Sequence, residues 1–117
     1  MIDFIIHSND VPWGHVWHII TTDGKGHIEL QYDMCKNSDM FICSLSVTPD
    51  KRKQGIGTEL LHIAENIAIE NNKYEFRLTI DKPKKDWLYD FYIKQGYKVY
   101  SEDEDLIFFK KIIPGYE

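Results

Sequence analysis

The residues Val47-Thr48-Pro49-Asp50-Lys51-Arg52-Lys53-Gln54-Gly55-Ile56-Gly57-Thr58-Glu59-Leu60-Leu61 join two kinds of local structure. Phe41 to Val47 reads as a strand, and from Ile56 to Asn71 the apolar period is helical. Ile56, Leu60, Ile63, Ala64, Ile67 and Ala68 share one broad face of that helix, while Glu59, His62, Glu65, Asn66 and Glu70 occupy the rest. Between strand and helix lies a polar loop with three successive basic residues, and Gly55 and Gly57 lead out of it. A helix start exposes N–H groups that have no intrahelical partner and carries a partial positive charge. Glycines let an anion approach that backbone closely. Thr58 can add a hydroxyl, and Arg52 or Lys53 a full charge, so the junction suits a pyrophosphate. It is not a Walker loop, because Gly57 is followed by Thr58 and Glu59 rather than by Lys-Ser or Lys-Thr. It is not a dinucleotide fingerprint, because Leu60 stands where a third glycine belongs.

Upstream of the junction, Ile2 to His7 predicts an edge strand, broken by Pro12, Trp13 and Gly14. Val16 to Thr22 predicts a strand, Asp23 to Gly26 a turn, and His27 to Met34 a strand with one wet face. Lys36 to Asp39 predicts a second turn before the Phe41 strand. Downstream, Tyr74 to Ile80 predicts a strand. Asp86 caps a second helix over Trp87 to Gln95, which closes at Gly96. Tyr97 to Tyr100 and Leu106 to Ile113 are the last strands, around the acidic run Glu102 to Asp105. The order β-β-β-β-α-β-α-β-β places a crossover in the middle. The expected class is therefore α/β (α+β): a mixed, mostly antiparallel sheet with one parallel strand pair and two main helices.

At 117 residues, the chain is expected to be a single domain spanning 1–117 with a core of its own. A net charge of -5 gives no global attraction to nucleic acid or to an anionic membrane, so any anion site is local. No apolar run approaches the roughly 20 residues of a membrane span, and no signal-peptide pattern opens the chain. With two cysteines, Cys35 and Cys43, read as reduced thiols, the expected location is cytoplasmic.

Arg52-x-x-Gly55-x-Gly57, preceded by Val47-x-Pro49 and followed by Thr58-x-Leu60-Leu61, resembles the acetyl-CoA-binding motif of the GNAT acetyltransferases. Phe91-Tyr92-Ile93-Lys94-Gln95-Gly96-Tyr97 resembles that family's second signature, in the right order and with a strand between the two. The resemblance covers Phe41 to about Phe109. It implies an N-acetyltransferase that moves an acetyl or other short acyl group from acetyl-CoA, the acyl donor, to an amine by direct attack. Backbone groups of Leu45, Ser46 and Val47 would pair with the pantetheine arm. Arg52, Lys53, Gln54, Gly55, Ile56, Gly57 and Thr58 would wrap the pyrophosphate. Tyr92 would donate a proton or a hydrogen bond to the leaving thiolate. The acceptor would be a small amine or a peptide or protein amine.

The sequence departs from the family pattern in three places. Lys85 stands where many members carry an asparagine, and Ile80 near the position of a glutamate that some use as base. Glu29, Asp33 and Asp81 are the nearest polar substitutes, which leaves the general base unassigned. Members usually have two helices after the first strand, for which His7 to His15 leaves no room. The acceptor side is therefore expected to be open, or completed by the substrate or by a second subunit in a homodimer. These departures keep two alternatives in view: a non-catalytic CoA-binding or interaction module, and a plain structural domain.

No metal site is expected. His15 and His18 would face opposite sides of a strand. His7, His27 and His62 read as isolated, and the cysteines lack paired zinc spacing. Gly-x-Ser-x-Gly is absent, which excludes an esterase elbow.

Overall fold

In the computed structural model, residues 2–34, 39–82 and 87–116 are described. Cys35, Lys85 and the expected cap Asp86 lie outside them. The elements follow the expected order: β1 (Phe4–Val11), β2 (Gly14–Thr21), β3 (Gly26–Asp33), β4 (Asp39–Val47), a 3-10 turn (Pro49–Lys51), α1 (Ile56–Glu70), β5 (Glu75–Asp81), α2 (Trp87–Lys94), β6 (Lys98–Glu102) and β7 (Leu106–Ile112). They form one seven-stranded sheet in the order β1-β2-β3-β4-β5-β7-β6. β4 and β5 are its parallel pair, and the neighbouring pairs run antiparallel.

β1 is longer than the sequence indicated. It continues to Val11, and only Pro12 and Trp13 separate it from β2. Its pairing runs unbroken from Phe4↔Thr21 to Val11↔Gly14, so the chain reverses without a helix pair at this point. The β2–β3 turn is built by Asp23, whose Oδ1 accepts from Thr21 Oγ1 at 2.7 Å and from the Lys25 N–H at 2.9 Å.

Both helices lie on one face of the sheet. α1 buries Ile56, Leu60, Leu61, Ala64, Ile67 and Ala68. Leu61 is fully buried and the expected Ile63 is only partly so: the apolar arc facing the sheet is centred one residue away from the predicted stripe. The helix stops at two asparagines. Asn71 Nδ2 donates to the Ile67 carbonyl at 2.8 Å, Asn72 takes a left-handed φ of 58°, and the Lys73 N–H reaches back to Ala68 O at 2.8 Å. α2 packs through Tyr89 and Tyr92 against Phe109 of β7, with ring centroids 5.6 and 6.0 Å apart. The opposite face of the sheet carries His18, His27, Glu29, Phe41, Arg77 and Thr79, and among the described residues none of its side chains is fully buried.

At the paired end of β4 and β5, Asp39 stands directly opposite Glu75. Arg77 bridges them, with Nε 3.1 Å from Asp39 Oδ2 and an η-nitrogen 2.8 Å from Glu75 Oε2. Burial first, and the Glu75 charge second, push the Asp39 carboxyl above its usual range, while Arg77 opposes the shift. Arg77→Met should therefore destabilise the protein by about 1–3 kcal/mol in urea unfolding at neutral pH. A folded carboxyl with a raised pKa favours folding below its unfolded pKa and loses that contribution as pH rises. The gap to wild type should accordingly narrow as pH falls through the carboxylate range. A gap independent of pH would remove Arg77 from this role.

Candidate active site

Two features of β4 create a cleft. Its register with β3 jumps from Glu29↔Ser44 to Leu30↔Ile42, leaving Cys43 as an extra residue. This is a β-bulge, which bends the strand. Its pairing with β5 covers only Asp39↔Glu75, Met40↔Phe76 and Phe41↔Arg77, although β4 runs on to Val47 and β5 to Asp81. Beyond Phe41 the two strands part. The opening, about 350 Å³, has Ile42 to Leu45 as one wall and Leu78 to Asp81 as the other, with Leu88 and Tyr92 reaching in from α2. A strand edge without its neighbour offers backbone N–H and C=O groups to an extended ligand.

A second, smaller depression of about 100 Å³ lies further along β4, between Val47 and the start of α1, lined by Arg52, Lys53, Gly55 to Thr58, Trp87 and Phe91. Gly55 caps α1 at φ 80°, a conformation that disfavours a side chain. The first intrahelical bond runs from Glu59 N–H to Gly55 O at 3.0 Å, so the N–H groups of Ile56, Gly57 and Thr58 precede it. Among the described residues, no side chain caps this helix end. A Cβ on Gly57 would stand 3.2 Å from the Phe91 ring, so glycine here lets α2 close on α1. Gln95 donates to Thr58 Oγ1 at 3.1 Å and ties the end of α2 to the same place.

The basic loop is divided in its duties. Asp50 accepts from Lys25 Nζ and from Thr48 Oγ1, each at 2.7 Å, and these bonds hold its carboxyl down at about 2. Arg52 donates from Nε to Val47 O at 2.9 Å, and its guanidinium lies 5.0 Å from the Trp87 ring centre. Its backbone N–H is directed to Pro49 O at 3.4 Å, so its side chain is the part that faces the depression. Lys53 has a left-handed φ of 64°. The structure thus brings Arg52, Lys53 and Gly55 to Thr58 around one depression, and Leu45 and Tyr92 around the adjoining cleft. Val47 lines the depression, while Ser46 is exposed on the far face and Gln54 is held by Asp50 O at 3.0 Å. Of the three candidate bases, Asp81 lines the cleft. Glu29 touches it through the Cys43 thiol, and Asp33 borders a separate depression beside Trp13 and Phe41. Ile80 is buried among apolar neighbours.

Neither Cys43 nor Tyr92 is ionised at neutral pH. Burial and the Glu29 carboxylate push the Cys43 thiol up to about 12, which removes it as a nucleophile. Burial alone pushes the Tyr92 phenol above its ordinary range, so the group is held as an O–H donor. Tyr97, packed 5.2 Å from it, is also raised, by burial first and then by the Glu65 charge.

A phenol whose pKa is raised on folding stabilises the fold below about pH 10 and loses that contribution as pH rises beyond it. Of the seven tyrosines, Tyr92 and Tyr97 should stay protonated in the folded protein when the exposed ones ionise. The phenolate absorbance should reach its full value only on alkaline unfolding. Complete ionisation before the loss of circular dichroism would contradict this environment.

Residues 12–99 match the family model described as an acetyltransferase (GNAT) domain. Among curated proteins, none matches the chain by sequence. Among solved structures, PaiA N-acetyltransferase from Thermoplasma acidophilum in complex with coenzyme A superposes with a TM-score of 0.71 at 25% identity, over 83% of this chain and 59% of that one. An acetyltransferase from Bacillus cereus ATCC 14579 gives 0.66 at 24% identity, over 94% and 74% of the two chains. A Bacillus subtilis acetyltransferase in complex with CoA gives 0.72 at 12% identity, over 97% and 99%, a likeness of fold alone. The present chain thus spans less than two thirds of the PaiA enzyme it resembles. With the family model covering most of the sequence, and the glycine-led start of α1 preceding α2 as the two sequence signatures do, the chain belongs to the GNAT acetyltransferase family.

Proposed function

We propose that this protein transfers an acetyl or other short acyl group from acetyl-CoA to an amine by direct attack. The observation that carries this reading is the succession of two openings along β4: the cleft at Ile42 to Leu45, then the depression at Val47 and the start of α1. The donor's pyrophosphate suits the N–H groups of Ile56, Gly57 and Thr58, with charge from Arg52 and Lys53. Its amide-bearing arm suits the free edge of Leu45 to Val47, although the Val47 carbonyl already accepts one bond from Arg52.

Tyr92 then stands at the cleft floor as a neutral phenol, able to give a proton or a hydrogen bond to the departing thiolate. Asp81, on the opposite wall, is the carboxylate positioned to accept the ammonium proton of the acceptor, directly or through water. The acceptor amine attacks the thioester carbonyl, the C–S bond breaks, and the acyl group leaves on nitrogen. We assign the acceptor to the amines at large, small or borne on a peptide or protein. Whether a second copy of the chain closes the acceptor side is answered by sedimentation of the purified protein.

Thiol release with acetyl-CoA and a panel of amines tests the activity. Tyr92→Phe should lower kcat by at least about tenfold while calorimetry shows near-unchanged CoA affinity. Asp81→Asn should lower the rate at neutral pH and recover part of it at alkaline pH, where more acceptor is already neutral. CoA binding without thiol release for any amine would leave a binding module in place of an enzyme.

A further inference from the structure

The uncovered face of the sheet groups donor side chains that the sequence showed only as isolated. His18 on β2 lies directly across from Glu29 on β3. His27 precedes Glu29 by two residues on the same strand and so points to the same side. His18 Nδ1 is 3.1 Å from His27 Nε2 and 3.6 Å from Glu29 Oε1, and the three donor atoms lie within 4.8 Å of one another. Metal–ligand bonds of about 2.0–2.2 Å at tetrahedral angles separate ligand atoms by about 3.3–3.5 Å. The two measured separations bracket that value.

We propose that His18, His27 and Glu29 form a binding site for a zinc-type divalent cation. Two imidazoles and one carboxylate favour zinc, cobalt or nickel over magnesium or calcium, which seek oxygen ligands. The imidazoles now share one hydrogen bond, and the metal takes the place of its proton. The β2–β3 ladder fixes both strands in register, so little backbone ordering is left for binding to impose. Three protein ligands leave a fourth position. His7, paired with His18 from β1 and on the same face, stands next to it, and water fills it otherwise. Glu29 and His18 are both partly exposed, which gives the ion a path in. These three ligands and their spacing do not depend on the acyl-transfer reading.

Metal-stripped protein titrated with cobalt(II) should show one saturating equivalent, with the strong visible bands of a tetrahedral ion, and zinc should displace it in calorimetry. His27→Ala and His18→Ala should each weaken binding by at least about tenfold, and Glu29→Gln should also weaken it. His62→Ala, on α1, should leave it unchanged. Circular dichroism of each variant confirms the fold. Absence of saturable binding in the wild type, or equal affinity in His27→Ala, overturns the proposal. Neither readout uses acetyl-CoA, so failure here leaves the transferase reading standing, and the converse also holds.

Discussion

The candidate active site depends on β4 and β5 parting after three paired residues. Internal strands normally satisfy both edges, because an unpaired N–H or C=O away from water is costly. Here the departure is held from both ends. At the closed end, Arg77 binds Asp39 and Glu75 across the pair and keeps the first three rungs together. Beyond it, the extra residue Cys43 bends β4 within its ladder to β3, and Leu88 and Tyr92 of α2 enter the space that a fourth rung would close. The ligand that fills such an opening completes the sheet, so binding energy and the satisfaction of the backbone come from the same contacts.

The start of α1 follows from the same geometry. A parallel pair requires a crossover, and the crossover begins where β4 ends, so the helix N-terminus stands at the mouth of the cleft. Gly57 then lets α2 close against that N-terminus through Phe91, and Gln95 fastens it at Thr58. The depression at the start of α1 and the cleft between β4 and β5 therefore follow one another along β4. The rings of Trp87 and Phe91 line the first, and the buried phenol of Tyr92, on the same helix, lines the second.

Much of this was legible in the sequence, and for identifiable reasons. Alternation of Ile28, Leu30 and Tyr32 against Glu29, Gln31 and Asp33 gave the face of β3 correctly, because a strand has period two. The glycines at 55 and 57 marked the helix start, because few other residues tolerate φ 80° or a ring 3.2 Å away. The bulge left no trace, since Cys43 and Ser44 are ordinary strand residues whose displacement shows only against Glu29. The His18, His27 and Glu29 group was hidden for a related reason. Periodicity assigns a residue to a face, whereas only register tells which residue of the next strand it meets. The length of β1 was underestimated because Ser8, Asn9 and Asp10 are polar, and an edge strand needs no apolar face.

The uncovered face follows from the two-residue reversal between β1 and β2, and it bears on how an acceptor meets the acyl group. With no helix pair inserted there, Glu29, Asp33, Asp39, Glu75 and Asp81 project on the uncovered face, opposed on it by Arg77, Lys98 and Lys110. An excess of carboxylates on one face, within a chain of net charge -5, favours the approach of a protonated amine. In the proposed reaction that amine must lose its proton before it can attack, and Asp81 lines the cleft on this face. On that reading, the charge that would attract an acceptor and the carboxylate that would take its proton belong to one surface. Selectivity among amines would then come from the carboxylates and rings around the opening rather than from an enclosing pocket.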